Sequence, residues 1–155
     1  MKKNEFGGLE EMVEPNQSLK LFVVMSKAYR AINDYTNKFI QKEGVNPTEF
    51  AVLELLYHKG EQPLQHIGDK ILLASGSITY VVDKLEKKGF LKRVACPNDR
   101  RVTYAHITEE GAKFLEGIFP AHQERIEEIM NTLTNEEKAM VIECMKKIGQ
   151  AIPAK

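Results

Sequence analysis

The segment from Pro63 to Ile107 restricts the fold of this chain more than any other, because two helical patterns are followed at once by two strand-like runs. A first helix is predicted from about Leu64 to Leu72, and a second helix runs to Lys88, after which a glycine ends it. The runs FLKRVA and VTYAHI have strand character, and the polar segment CPNDRR between them predicts a hairpin. Two helices joined by a tight turn and followed by a hairpin form a winged helix-turn-helix.

The outward face of the second helix carries side chains that suit contact with DNA. With its apolar residues turned to the core, the face offers hydroxyls, a tyrosine and cations to base edges and phosphates. The turn before the helix adds free backbone N–H groups, with Ser75 as the predicted N-cap. A solvated helix shows similar residues, so both interpretations stay open for this helix alone. The residues predicted to contact DNA on the two helices are Gln65, His66, Ser75, Gly76, Ser77, Thr79, Tyr80, Lys84 and Lys87.

The hairpin tip favours the DNA-binding interpretation. Arg100 and Arg101 directly follow the tight polar segment PND, and guanidinium groups suit the negative potential of a minor groove beside the recognition helix. Asp99 would hold an arginine in a fixed rotamer, and Arg93 on the first strand completes the predicted DNA contacts. A solvated turn with a surface ion pair would explain the charge, but not its position after a helix-turn-helix.

Charge is unevenly distributed along a chain whose formal net charge is zero. Residues 63–106 contain eight Lys and Arg against four Asp and Glu, whereas residues 1–62 and 107–155 are both net acidic. This segregation indicates an anionic partner for the middle segment.

Long amphipathic helices are predicted on both sides of the middle segment. One spans residues 18–43 and two more lie within 108–152, where Pro120 should kink the first of them or mark a frayed turn. Their Met and aromatic side chains exceed what the middle segment needs for its own core, which favours a homodimer. The expected fold class is therefore mostly α with a small β-hairpin wing, in one domain of residues 1–155. Its winged helix-turn-helix lobe spans 46–107, flanked by dimerisation helices.

The stretch LLASGSITYVVDKLEKKGFLKRVACPNDRRVTYAHITEEG resembles the core of the MarR family of bacterial transcription regulators. The residues that carry the resemblance are Leu85, Glu86, Gly89, Leu91, Arg93, Asp99, Arg101, Ile107, Thr108 and Gly111. The resemblance implies a homodimer built by the first and last two helices, with Arg101 entering the minor groove and Asp99 as its partner. It also implies a pseudo-palindromic operator in double-stranded DNA, and a repressor released by a small phenolic or lipophilic effector.

The resemblance further implies an effector pocket between the dimerisation helices and the DNA-binding lobe. Aromatic side chains are the candidates to line it, although such residues at helical spacing more often form core. The candidate effector-binding residues are Phe22, Tyr29, Phe39, Phe50 and Tyr57.

The two cysteines and four histidines are the residues that could support redox or metal chemistry. Cys96 lies in the wing near Arg93 and Arg100, and nearby cations favour the thiolate, so it is a candidate redox residue. Cys144, in the last helix, is expected to take part in ordinary packing. The four histidines and two cysteines match no metal-ligand spacing, so neither a metal site nor another cofactor is predicted.

Several function classes follow from these features. The leading hypothesis is a homodimeric, sequence-specific DNA-binding repressor, and the alternatives are a thiol-based sensor acting through Cys96 and a winged-helix module that binds protein without DNA. An enzyme is not expected, because the sequence contains no nucleophile elbow, phosphate loop, paired-carboxylate motif or metal motif. The N-terminus lacks the apolar core of a secretory signal and no run has membrane-spanning length, so a cytoplasmic location without a membrane partner is expected.

Overall fold

The computed structural model describes residues 16–71 and 78–154. Within these residues the helices are α1 (Gln17–Lys42), α2 (Pro47–Lys59), α3 (Leu64–Lys70), α4 (Ile78–Lys87), α5 (Glu109–Met130) and α6 (Asn135–Ala151). The strands are β1 (Gln62–Pro63), β2 (Leu91–Ala95) and β3 (Thr103–Ile107). The expected fold class, mostly α with a small β-hairpin wing, is confirmed.

The wing is a three-stranded antiparallel sheet in the order β1-β3-β2, rather than a two-stranded hairpin. Arg93 on β2 lies opposite Ala105 on β3, and the two residues of β1 pair with the other edge of β3. The backbone N–H of Cys96 donates to the Val102 carbonyl oxygen at 2.9 Å and closes the loop at the tip. The sequence does not predict β1, because a two-residue strand containing a proline has no periodic pattern to recognise.

Neighbouring residues determine where the helices begin and end. The spacing of Asn46 and Glu49 predicts the start of α2, and the Asn46 side chain accepts the Glu49 N–H at 2.8 Å. Thr134 and Glu137 predict a capping box at the start of α6, and both of its hydrogen bonds are present. Gly89 follows α4 with a φ of 78°, in the left-handed region that favours glycine at a helix end.

The hydrophobic core joins the winged lobe to the adjoining parts of α1 and α5. Ile40 from α1 and Leu115 and Ile118 from α5 pack with the lobe, so the flanking helices close its core. The buried hydrophobic residues are Ile40, Val45, Phe50, Val52, Leu53, Leu56, Ile67, Ile71, Val81, Val82, Leu85, Leu91, Ala105, Leu115 and Ile118.

The start of α5 approaches the wing so closely that it needs a glycine. A Cβ at Gly111 would lie 2.2 Å from the Phe90 carbonyl oxygen and 3.0 Å from the Ile107 side chain. The Thr108 hydroxyl donates to the Gly89 carbonyl oxygen at 2.6 Å and accepts the Gly111 N–H at 3.0 Å. The threonine and glycine at this helix start therefore fix α5 against the end of the recognition helix.

Helix α5 continues through Pro120. The expected frayed turn at this residue is therefore not present. Proline removes one backbone donor, and the helix tolerates the loss within its 22 residues.

Two parts of the molecule leave many large apolar side chains exposed. They are the first half of α1 and the whole of α6, which contains no buried residue. The exposed apolar residues there are Leu19, Leu21, Phe22, Val24, Tyr29, Met140, Val141, Ile142, Met145 and Ile148, and Ile152 directly follows α6. Despite this exposure, no helix in the described part of the chain combines the length and apolar character needed to cross a membrane.

Candidate nucleic-acid interface

Helix α4 presents the polar face expected of a recognition helix. Its apolar side is buried against α2 and β2, where it forms part of the core. The predicted DNA contacts on this helix are all accessible to solvent: Thr79, Tyr80, Lys84 and Lys87. The predicted contacts Ser75, Gly76 and Ser77, and the predicted cap at Ser75, lie outside the described residues.

Tyr80 and Lys84 interact one helical turn apart on α4. The Lys84 Nζ lies 4.8 Å from the centroid of the Tyr80 ring, which is a cation–π distance. Tyr80 is 60% exposed, so the ring presents its hydroxyl and much of its surface to solvent. The two side chains therefore form one preorganised unit on the accessible side of the helix.

At the wing tip, Asp99 holds Arg101 in the arrangement that the sequence predicts. The Arg101 Nε donates to Asp99 Oδ1 at 3.1 Å, its Nη2 donates to Oδ2 at 3.2 Å, and its backbone N–H donates to Oδ1 at 3.0 Å. These hydrogen bonds from Arg101 lower the pKa of Asp99 below its usual value. The Arg101 side chain is nevertheless 90% exposed, so an oriented guanidinium projects from the tip.

The wing tip also contacts the first helix of the helix-turn-helix. The Gln65 Nε2 donates to the Arg101 carbonyl oxygen at 3.3 Å, which fixes the tip against the start of α3. His66 and Arg100 are exposed on the same two segments. The fold therefore brings predicted contact residues from α3 and from the wing together.

Arg93 is held differently from the arginine at the tip. Its Nη1 donates to Glu86 Oε1 at 2.9 Å and its Nη2 donates to Asp83 Oδ1, so it links β2 to α4. The hydrogen bond with Asp83 is the main reason why the pKa of Arg93 is raised. The sequence pattern places Arg93 among the cations predicted to contact DNA. In the structure, however, its guanidinium donates hydrogen bonds to two carboxylates. A direct DNA contact by Arg93 remains a prediction that this geometry does not favour.

Both cysteines are free thiols. Cys96 is half-buried beside the wing loop, and its backbone N–H closes that loop through Val102. Cys144 is exposed on α6 rather than packed within the chain, which differs from the expectation of ordinary packing.

The five aromatic effector candidates do not line one pocket. Phe50 is 3% exposed and belongs to the core, and Phe39 packs against the core with the Arg125 guanidinium 4.5 Å from its ring centroid. Phe22 and Tyr29 are exposed on α1. Within one chain the five candidates are therefore divided between core and surface, because helical spacing does not show which positions the other helices cover, and effector binding by them remains a prediction.

Tyr57 does line a cavity of about 170 Å³ between α2 and α5, whose other lining residues are Leu115, Glu116, Phe119 and Pro120. The Tyr57 hydroxyl donates to Glu116 Oε1 at 2.8 Å. This hydrogen bond raises the pKa of Tyr57. Of the α5 residues in this cavity, the sequence pattern draws attention only to Pro120, as a kink or a frayed turn. Tyr57 and Glu116 are 59 positions apart in the sequence, so only the folding of the chain brings them together.

Two histidines lie near this cavity without forming a metal site. The His58 ring packs against Phe119 at 5.4 Å, and the His122 ring packs edge-on against Phe50 at 4.9 Å between centroids. Burial lowers the pKa of His122, whose Nδ1 is buried without a hydrogen-bond partner among the residues that the structure describes. Across residues 16–71 and 78–154, no three His, Cys, Asp or Glu side chains form a cluster suited to a metal ion.

Comparisons with known proteins agree with this geometry. The model of the MarR family matches residues 45–103, which include α4 and most of the wing. The HTH-type transcriptional regulator MhqR of Bacillus subtilis (strain 168) is 65% identical over 133 residues, which cover 86% of this chain and 92% of that protein.

Solved structures show the same fold at lower identity. A mutant of MarR from E. coli complexed with operator DNA has a TM-score of 0.75 and 22% identity, covering 86% of this chain and 96% of that one. Bordetella bronchiseptica BpsR, whose DNA binding is regulated by 6-hydroxynicotinic acid, has a TM-score of 0.78 and 18% identity, covering 90% and 100%. From the family match and the extended identity to MhqR, the chain belongs to the MarR family of DNA-binding transcriptional regulators and is not an enzyme.

Proposed function

We propose that this protein is a homodimeric, sequence-specific repressor that binds a pseudo-palindromic operator and is released by a small phenolic or lipophilic effector. The observation that carries the proposal is the wing tip, where Asp99 orients an arginine that remains 90% exposed. A surface ion pair contributes little to folding, so stability does not explain this arrangement. Insertion of an oriented guanidinium into a minor groove does explain it.

The recognition helix would read the neighbouring major groove. Tyr80 and Thr79 offer hydroxyls to base edges, while Lys84 and Lys87 suit phosphates or guanine. The Tyr80–Lys84 contact limits the rotamers of the lysine before DNA arrives, which reduces the entropy lost on binding. The relatives are DNA-binding regulators, so the alternative of a winged-helix module that binds only protein receives no support.

Dimerisation is supported by the exposed apolar residues of α1 and α6. A helix of 17 residues that buries none of them within its own chain gains little from hydrophobic burial unless another surface covers it. A two-fold partner would cover it and place two copies of α4 in successive major grooves, with half-sites ~10 base pairs apart.

The cavity beside Tyr57 supports an effector site. Its volume of about 170 Å³ is close to the roughly 150 Å³ that accepts a benzene ring in an engineered protein cavity. Its polar edge is a tyrosine hydroxyl bonded to a carboxylate, which suits a phenolic O–H donor. Because the cavity lies between α2 of the winged lobe and α5, a ligand there would favour one arrangement of lobe and dimerisation helices over another.

A thiol-based route is the second candidate. The backbone N–H of Cys96 closes the loop that carries Arg101, so oxidation or alkylation of this half-buried residue would disturb the position of the arginine. Cys96→Ser should abolish any response of operator binding to electrophiles, whereas Cys144→Ser is the matched control and should retain it. A response that survives in Cys96→Ser would rule out this route.

The proposed function is tested by selecting DNA from a random duplex library with the wild-type protein. We expect an enriched inverted repeat, a sedimentation mass of twice the chain, and release of the duplex by some phenolic compounds. Glu116→Gln should weaken that release without changing DNA affinity. A monomer that enriches no sequence would contradict the proposal, and failure of every phenol and lipophilic compound tested would remove the effector part.

A further inference from the structure

Lys88 makes an unusual set of contacts immediately after the recognition helix. Its Nζ forms an ion pair with Glu49 Oε2 and also donates a hydrogen bond to the Gly44 carbonyl oxygen at 3.0 Å. Glu49 is only 2% exposed, whereas carboxylates are seldom fully buried. One ammonium group thus joins the end of α4 to the start of α2 and to the turn that follows α1.

Glu49 is also held by Asn46, independently of Lys88. The Asn46 Nδ2 donates to Glu49 Oε1 at 3.0 Å, and the Glu49 backbone N–H donates to Asn46 Oδ1 at 2.8 Å. The second carboxylate oxygen, Oε2, accepts the hydrogen bond from Lys88. Because Asn46 already caps α2, helix capping does not explain why a carboxylate is buried here.

The hydrogen bond from Lys88 to the Gly44 carbonyl oxygen links the recognition helix to the end of α1. Gly44 lies two residues beyond Lys42, the last residue of α1, in the connection between α1 and the winged lobe. Lys88 lies one residue beyond Lys87, the last residue of α4. A movement of α4 relative to the end of α1 must therefore stretch or break a charge-assisted contact.

We propose that Lys88 is a positioning residue that fixes the recognition helix relative to the end of dimerisation helix α1. In the dimer it sets the distance between the two DNA-binding lobes, and it does so without touching DNA. This inference rests on the proposed dimeric DNA binding. It assigns to Lys88 a role that its neighbour Lys87, predicted to contact DNA directly, does not have.

Three variants separate positioning from stability. Lys88→Met removes the ammonium but leaves the Glu49 carboxylate buried without its cation, which destabilises the fold. The double variant Glu49→Leu with Lys88→Met replaces the pair by apolar groups, an exchange that is often neutral for stability. Lys113→Met is the control, because Lys113 forms a surface ion pair with Glu109 on α5.

The first measurement uses a spin label on the exposed side of the wing, away from the loop that Cys96 closes. In a Lys92→Cys variant that also carries Cys96→Ser and Cys144→Ser, a spin label on β2 reports the distance between the two wings of a dimer by pulsed electron paramagnetic resonance. We expect one main distance in the wild type and in Lys113→Met, and a shifted or broader distribution in Lys88→Met. The double variant should regain thermal stability while the distribution stays altered.

The second measurement is affinity for the duplex that the wild type enriches. Lys88→Met and the double variant should bind about tenfold more weakly, within the range typical of coupling between sites, at an unchanged salt slope. A wild-type distance distribution in either variant would overturn the inference, as would affinity within twofold of the wild type. A salt slope reduced by about one would make Lys88 a phosphate contact instead. If the wild type itself shows no distance between labels, the proposed dimer fails together with this inference.

Discussion

The winged lobe and helix α6 differ in how much apolar surface a single chain covers. Helix α2 of the lobe buries Phe50, Val52, Leu53 and Leu56, together with the carboxylate of Glu49. Helix α6 buries none of its 17 residues, although it carries several large apolar side chains. The lobe is therefore explained by contacts within the chain, whereas the exposed apolar side chains of α6 fit the proposed dimer, in which a second chain would cover them.

This difference indicates that the lobe core determines folding stability, whereas we expect α6 to determine assembly. The buried described residues of the lobe form one core with the adjoining parts of α1 and α5, so substitutions there should act on folding itself. Substitutions on α6 should act on association and leave the lobe folded.

Truncation of the lobe core should have the largest effect on stability. Leu53 is fully buried, and Leu53→Ala should lower the free energy of unfolding by about 2–5 kcal/mol through lost burial and a cavity. Leu19→Ala makes the same change at a residue of α1 that is 53% exposed, and it should cost much less. Urea denaturation measures both, and equal costs would contradict the contrast between the two regions.

A charge on α6 should separate assembly from folding. Ile142 is 54% exposed, and Ile142→Asp should dissociate the proposed dimer because an unpaired carboxylate would enter an apolar interface. Sedimentation should then give a single-chain mass, while circular dichroism retains the helical signal. Lys146→Asp, a change at an exposed residue on the same helix, is the comparison. A dimer that survives Ile142→Asp would place the interface elsewhere.

The wing tip should affect DNA binding without affecting either folding or assembly. Arg101→Ala should weaken operator binding, reduce the salt slope by roughly one, and relax the preference for A·T-rich flanks. Asp99→Ala should be milder, because it frees the guanidinium without deleting it. Binding isotherms at several salt concentrations measure these effects. If Arg101→Ala binds the operator with unchanged affinity and salt slope, the tip does not enter the minor groove and is only a solvated turn.

The recognition helix should show the complementary pattern. Tyr80→Ala should alter preference among central bases by ~1–3 kcal/mol with little change in salt slope. Tyr80→Phe keeps the ring that contacts Lys84, so it isolates the contribution of the hydroxyl. Competition between single-base variants of the enriched duplex is the measurement, and equal preferences in the wild type and Tyr80→Ala would exclude base readout by Tyr80.

The smallest effect should be a pH dependence of stability within the contact between α2 and α5. Burial lowers the pKa of His122 below its ordinary value of 6.5, so the unfolded chain binds a proton more readily than the folded one. His122 therefore imposes no cost at higher pH, and it destabilises the protein as pH falls below about 6.5. His122→Gln should flatten urea stability between pH 7.5 and 5.5, and exposed His66→Gln should not. Parallel profiles for the wild type and His122→Gln would contradict this assignment.

Much of the local structure could be predicted from the sequence. The capping pairs at Asn46 and Thr134 and the helix end at Gly89 depend on residues within one turn, and the structure confirms all three. The pairing of Asp99 with Arg101 is also local, because these residues are two positions apart. Such features are determined by backbone geometry and by side chains that neighbour one another in the chain.

Contacts between residues that are distant in the sequence could be established only from the tertiary structure. The partnership of Arg93 with Asp83, the placement of Tyr57 against Glu116 and the third strand β1 all depend on how the elements pack. Aromatic residues with equivalent helical spacing were divided between core, cavity and solvent, and periodicity does not distinguish these environments. The physical reason is that a side chain's own sequence neighbours determine its helix, whereas its burial and its ionic partners depend on which other element reaches the same face.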